Sequence, residues 1–289
     1  MSIRLEDGAW PRRRRAGSQA VVDRFFDSSA AYWREVYRDE GLQGLIYRER
    51  MEAVLRWVQD LNLPADAAAL EVGCGAGLLA AQLAKRNLRV VAVDASKEMV
   101  KLARDHAVET GSSSRLRVMQ AEAHELPFAP ETFDLVLAVG LLPWLHDARR
   151  GVAEMVRVLR SGGWLIVTVD NRARLGVLTE PRENPLLVPL KPFVRAVKPA
   201  AGHRAVSASA PSHLHLPSHV DRLLVAAGVR PARRTTVGFG PFTFLGRAVL
   251  SEPATLRLHL RLTALRGQRM PWLRWVGWHY LVAARKPER

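Results

Sequence analysis

Residues 70–77 read Leu70-Glu71-Val72-Gly73-Cys74-Gly75-Ala76-Gly77, and the fold follows from what stands on either side of them. An apolar run over 69–72 enters this turn as a strand, and a helical pattern over 78–86 leaves it. Glycines at 73, 75 and 77 permit a tight turn and let a ligand lie against bare backbone. The dinucleotide turn G-x-G-x-x-G would place glycine at 78, where this chain has Leu78. Glu71, directly before the turn, disfavours a diphosphate and suits a cationic group. The turn fits a ligand other than a pyrophosphate.

Outward from the turn, strand-like and helix-like segments alternate. Strands are expected at 69–72, 90–93, 116–120, 133–139 and 164–169, and helices at 78–86, 97–109 and 148–159. Arg160-Ser161-Gly162-Gly163 reads as a helix stop before the fifth strand. Such alternation gives an α/β fold with a doubly wound, mostly parallel sheet. A helix over 218–227, with Ser218 as N-cap and Gly228 as C-cap, and strands over 233–239 and 278–285 bring the sheet to seven strands. Ahead of it, Val21, Val22, Phe25, Phe26, Leu45, Ile46, Met51, Val54, Leu55 and Val58 recur at helical spacing, a helical lid over 19–63. Residues 1–18 read as a disordered basic tail. The domain proper runs over 64–289, with a proline-rich insertion at 171–215 and a second decoration at 240–276.

The second strand ends Val90-Val91-Ala92-Val93-Asp94, where a carboxylate can accept both hydroxyls of a ribose. The third runs into Ala121-Glu122-Ala123-His124-Glu125-Leu126-Pro127-Phe128. With these segments the chain resembles the class I S-adenosylmethionine-dependent methyltransferases over roughly 65–170. It is most similar to the small-molecule branch that includes the ubiquinone and menaquinone enzymes. The resemblance implies S-adenosyl-L-methionine as cofactor, with Glu71, Gly73, Cys74, Gly75 and Gly77 around its methionine part. It implies Asp94 at the ribose, Ala95 and Ser96 beside the adenine, and Ala121, Glu122, Ala123 and Val139 completing the site. Glu122 stands where the family carries an aspartate.

Methyl transfer from a sulfonium is an in-line displacement in which positioning matters most. The acceptor is expected beyond the carboxyl ends of strands four and five. There the chain reads Gly140-Leu141-Leu142-Pro143-Trp144-Leu145-His146-Asp147, an apolar lip in place of the Asp/Asn-Pro-Pro-aromatic quartet of nucleobase N-methyltransferases. His146 is the candidate general base, with capping of the next helix as its alternative role. Tyr32, Tyr37, Trp144, His215 and Phe242 are candidate acceptor contacts. Asp170-Asn171 invites comparison with magnesium-dependent enzymes, but strand four ends in Ala138, Val139 and Gly140 and offers no hard oxygen ligand. His213, His215 and His219 have no cysteine partner, so no metal is expected.

Cys74 is the only cysteine, which excludes an internal disulfide framework. Arg12-Arg13-Arg14-Arg15 lacks a following apolar segment, and no apolar run reaches the ~20 residues of a bilayer span, so a cytoplasmic protein is expected. The net charge of +15 lies entirely in residues 171–289; residues 1–60 carry +1 and residues 61–170 carry −1. Such a surface suits an anionic membrane, a phosphorylated substrate, an acidic carrier protein or nucleic acid, or serves solubility alone. The aromatics Trp272, Trp275 and Trp278, interleaved with arginine, favour peripheral contact with an anionic membrane, and no nucleic acid is expected. The rivals to a small-molecule methyltransferase are a nucleic-acid methyltransferase, a scaffold, and an enzyme that uses the cofactor for another reaction. Oligomeric state stays open.

Overall fold

A computed structural model describes residues 17–64, 66–181, 184, 214–268 and 270–288. The basic tail up to residue 16, most of the 171–215 insertion, His213, Lys191, Arg195 and Lys198 lie outside the described residues. Two helices, α1 (Gly17–Glu35) and α2 (Leu42–Asp60), precede the sheet, so the lid begins two residues inside the expected tail. The alternating half follows as β1 (Ala68–Val72), α3 (Leu78–Ala84), β2 (Arg89–Asp94), α4 (Lys97–Glu109) and β3 (Leu116–Gln120). It continues through β4 (Phe133–Val139), α5 (Ala148–Val158) and β5 (Leu159–Asp170). Beyond lie the short α6 (Gly176–Thr179), then α7 (Pro217–Ala226) and β6 (Arg230–Val237). The hairpin β7 (Thr243–Phe244) and β8 (Arg247–Ala248), α8 (Glu252–Gln268) and β9 (His279–Arg285) complete the chain.

The main sheet runs in the order β3-β2-β1-β4-β5-β9-β6, seven strands among the described residues. β9 is antiparallel to both neighbours and the other adjacent pairs are parallel, which is the expected doubly wound sheet. Its central strands β1, β4, β5 and β9 are largely buried on both faces, so they read as apolar runs, while the edge strands β3 and β6 alternate with exposed positions. One core lies between the sheet and α2, α3 and α4, and includes Val54, Ala69, Leu83, Ala92, Leu137 and Ile166. The other lies on the α5 and α7 side, with Leu70, Val136, Val152, Met155, Leu224 and Tyr280.

Three local expectations are corrected. The chain passes from α5 into β5 at Leu159 without a separate stop, and 160–163 belong to the strand. The ladder with β4 shifts register there, and Gly162 takes φ 76°. The N-cap of α7 is Leu216, without a side-chain cap, because Pro217 occupies the first turn in place of an amide that would need one. Gly228, at φ 94°, sits one residue past the C-cap Ala227. Within 240–276 stands the seventeen-residue helix α8, a larger element than the sequence suggested.

Candidate active site

The carboxyl ends of β1 to β5 form the floor of a cavity, and α1, α2 and the turn between them form its roof. Gly73 and Cys74 donate backbone N–H bonds to Val93 O at 2.8 and 3.0 Å, which binds the glycine turn to the end of β2. Gly75 has φ 52°, and a Cβ built there meets no protein atom within 4 Å, so ligand and backbone can touch. Gly77 serves another purpose. A Cβ on it would lie 2.8 Å from Ala103 Cβ, so this glycine lets α3 start against α4, and it is not part of the lining.

Asp94 accepts from Gly75 N at 2.9 Å and Ser96 N at 3.0 Å, which fixes its carboxylate toward the cavity. Burial nevertheless raises its pKa to about 6. Glu71 is 3% exposed, and burial, with Asp94 nearby, lifts it to about 8. Ala95, Ala121, Glu122, Ala123 and Val139 line the same cavity. Partial burial opposes ionisation of Glu122, but His124, with Nδ1 2.6 Å from its Oε1, outweighs this and holds it below the usual carboxylate range. Ser96 caps α4 by accepting from Met99 N, and its hydroxyl donates to Asp27 on α1 at 2.5 Å. It thus ties roof to floor without lining the cavity.

The roof is aromatic. Phe26, Trp33, Tyr37 and Tyr47 line it, and Trp144, from the turn after β4, joins them in the lining and packs on Phe25, Phe26 and Trp33 with ring centroids 5.7, 5.1 and 6.5 Å apart. Of the expected acceptor contacts, Tyr37 and Trp144 are therefore in the lining. Tyr32 is not: on α1 the inward positions are 19, 22, 23, 26 and 33, and Tyr32 falls one step off that face. His215 is buried beside the end of β5, its N–H bonded to Asp170 O, and Phe242 sits in a separate small core with Phe239 and Leu273. Neither lines the cavity. His146 also stands outside the lining, with Nδ1 3.2 Å from Gln19 Oε1 and its ring 4.0 Å from that of His124. The helix cap that His146 offered as an alternative role belongs to Asp147, which accepts from Arg150 N.

Two groups of the cavity had not been singled out for it. Arg50, 6% exposed, donates to Tyr37 Oη at 3.0 Å and lies over the Tyr47 ring at 4.6 Å. A Cβ on Gly140 would come within 2.9 Å of its Nη1, so the guanidinium reaches the end of β4 only because glycine stands there. The signal was present in the sequence: Arg50 falls four residues from Ile46 and four from Val54, on the buried stripe of α2. Asp170 also lines the cavity, with His279 Nδ1 3.0 Å from its Oδ1. Burial opposes its charge, but His279, Arg50 and Arg174 hold the carboxyl below its usual range. Among the described residues no group of three or more His, Cys, Asp or Glu is placed to hold a metal ion.

The buried Glu71 Oε2 and Arg50 Nε have no hydrogen-bond partner among the described residues. A buried carboxyl and a buried guanidinium on one cavity suit a ligand that brings both an ammonium and a carboxylate. Bare backbone at Gly75 and the carboxylate of Asp94 suit its nucleoside part. The amino-acid and ribose ends of S-adenosylmethionine meet these requirements.

Comparison with known proteins agrees. The family described as Methyltransferase domain matches residues 70–167. A ubiquinone biosynthesis O-methyltransferase of Parvibaculum lavamentivorans is 35% identical over 181 residues, which cover 58% of this chain and 68% of that protein. Another curated relative, the enzyme of the same name from Thiobacillus denitrificans, is matched over only half of its own length. Among solved structures, magnesium protoporphyrin IX methyltransferase from Synechocystis PCC 6803 superposes with a TM-score of 0.60 at 19% identity, covering 93% of this chain and 99% of that one. The [4+2]-cyclase SpnF gives 0.58 at 21% identity, covering 94% and 97%. These two likenesses are of fold. With the glycine turn, the paired buried charges and a relative matched over two thirds of its length, the chain belongs to the class I S-adenosylmethionine-dependent methyltransferases.

Proposed function

We propose that the protein methylates an oxygen of a small, hydrophobic, lipid-like acceptor. The aromatic roof carries this reading: Phe26, Trp33, Tyr37, Tyr47 and Trp144 offer apolar faces to whatever lies beyond the cofactor's methyl group. S-adenosylmethionine, when bound, supplies an electrophilic methyl on a sulfonium. Glu71 and Arg50 would hold the amino-acid end, Asp94 the ribose, and Ala95 would flank the adenine with Glu122 toward its amino group. The roof would exclude water and hold the acceptor facing the cofactor. On accepting the methyl group, the acceptor oxygen would give up its proton to Asp170, which lines the cavity at the end of β5, and from there to solvent. An ionised, low-pKa carboxylate suffices for this, because an oxygen that has just been alkylated is strongly acidic. In this scheme Asp170 orients the hydroxyl, and His146 helps hold α1 in place.

The test is incubation of the protein with methyl-labelled cofactor and fractions of a cell extract, read by mass spectrometry. The expected result is one labelled product that partitions into organic solvent. Label confined to a polar product, or found on nucleic acid, would remove the hydrophobic-acceptor reading.

A further inference from the structure

Both decorations leave the sheet at one edge. β5 ends at Asp170, β6 ends at Val237 and β9 begins at His279, all on the side that carries the glycine turn. Asn171 ties the two together, its Nδ2 donating to Trp275 O at 2.8 Å and Gly277 O at 2.9 Å. Leu175 N adds a bond to Val276 O at 2.7 Å. The hairpin β7–β8, α8 and the 3₁₀ turn Pro271–Trp275 then gather around the core of Phe239, Phe242 and Leu273.

The outward side of this unit is apolar and basic. Phe244, Val249, Leu260 and Trp272 are each more than half exposed, and Trp275 is 42% exposed. A single exposed apolar side chain is ordinary; five on one small unit mark a contact surface. Arg247, Arg257, Arg261 and Arg274 are exposed among them. On α8, Leu258, Leu262 and Leu265 pack inward, while Arg257, Leu260 and Arg261 share the outer face. Between residues 238 and 278 the only acid is Glu252. It sits near Gly41 at the start of α2, where its Oε1 lies 2.6 Å from a Cβ built on that glycine. Trp278, by contrast, is only partly exposed and lies under the Arg174 guanidinium at 5.0 Å, so it is not part of this face.

We propose that this face docks on an anionic phospholipid bilayer. Guanidinium groups bind lipid phosphates, and tryptophan and leucine side chains enter the boundary between headgroups and acyl chains. Val249 and Leu260 would gain nothing from a nucleic-acid backbone, which decides the choice of partner. The proposal deepens, and rests on, the hydrophobic-acceptor reading: the unit that carries the docking face leaves the same end of the sheet as the cavity, so docking would turn that end toward a bilayer in which such an acceptor dissolves.

The experiment is cosedimentation of the full chain with vesicles of phosphatidylcholine alone and of phosphatidylcholine mixed with phosphatidylglycerol, at low and physiological salt. Binding to the mixed vesicles, weakened by salt, is expected. Each arginine at such a surface contributes about fivefold to partitioning, so the double change Arg257→Gln and Arg261→Gln lowers it roughly twentyfold. Trp272→Ser with Trp275→Ser removes the binding that survives salt. Thermal unfolding and calorimetry with S-adenosylmethionine, unchanged in these variants, show that fold and cofactor site are intact. Equal absence of binding to both vesicle types at low salt overturns the proposal. So does variant binding equal to the parent, or retention on polynucleotide without retention on vesicles. Vesicle binding in a chain that fails to bind cofactor would support this surface and count only against the enzymatic reading.

Discussion

The floor and the roof of the cavity are built on different principles. The floor consists of strand ends and one turn, and presents bare glycine backbone and the carboxyls of Glu71 and Asp94 to the cavity. The roof consists of two helices ahead of the sheet and offers rings, with Arg50 as its buried cation. Polar groups on a rigid sheet specify one ligand closely, because a wrong partner leaves a buried charge unmet. Ring faces specify shape and apolarity loosely. In the proposed scheme the cofactor is held by the sheet-borne floor, and the acceptor by a roof that can be refashioned helix by helix.

Arg50 crosses that division, since it belongs to the roof yet serves the floor. Arg50→Leu should therefore weaken cofactor binding most, by about 2–5 kcal/mol, the scale for truncating one partner of a buried charge pair. Calorimetry with S-adenosylmethionine measures it, and Arg50→Lys should recover part of the loss. Unaltered affinity in the leucine variant would return Arg50 to the roof alone.

On the acceptor side, Asp170→Asn should lower kcat/KM by about 1.5–3 kcal/mol, the value of a hydrogen bond to a charged group, with cofactor affinity kept. His146→Ala should change it far less. The reverse ranking would restore His146 as the base. Asp94→Ala should cost about 1–3 kcal/mol of cofactor binding and leave acceptor KM unchanged, since it acts on the floor only.

Proton linkage sharpens the same contrast. Glu71 rises from 4.5 to about 8 and Asp94 from 3.8 to about 6 in the free protein. The folded chain then holds protons that the unfolded chain has released, so these groups make stability fall as pH rises from about 4 to 8. An ammonium opposite Glu71 favours its ionised form, so cofactor binding there expels a proton. Affinity should climb toward pH 8 by at most about tenfold per pH unit for one linked proton. Thermal unfolding across that range, and calorimetry in buffers of different ionisation heat, read the two signs. A binding profile flat from pH 6 to 8 would detach Glu71 from the cofactor's ammonium.

The smallest effect belongs to the roof. Trp33→Leu should raise acceptor KM by about three- to tenfold, through loss of ring contacts worth roughly 0.5–1.5 kcal/mol, with cofactor affinity unaltered.

How far the sequence could be read follows the same line between floor and roof. The turn at 70–77 and Asp94 are local in sequence, and their geometry is set by glycine positions and by the end of one strand. Their part of the cavity was legible because consecutive residues line it. The roof is met by one residue per helical turn, and a choice of Tyr32 over Trp33 turns the contact by about 100° around the axis. Arg50 reads as surface charge until the buried stripe of α2 is drawn through it. Leu256-Arg257-Leu258-His259-Leu260-Arg261-Leu262 alternates like a strand, yet it lies in α8. There His259 is buried, receives Phe239 N–H on Nδ1, and lies 2.9 Å from Glu49 of α2 through Nε2. That tertiary contact favours the helix, and no local pattern announces it.

The Asn171 side chain carries one more consequence, which concerns time. Its bonds to Trp275 and Gly277 join residues more than a hundred positions apart, whereas Gly75 and Asp94 are nineteen apart. Closing so long a loop costs chain entropy that two hydrogen bonds cannot offset by themselves. Pairing of β5 with β9 must already have brought the segments together. During folding, the glycine turn can take shape from neighbouring βαβ contacts, while the junction of the two decorations waits for the last strand to arrive.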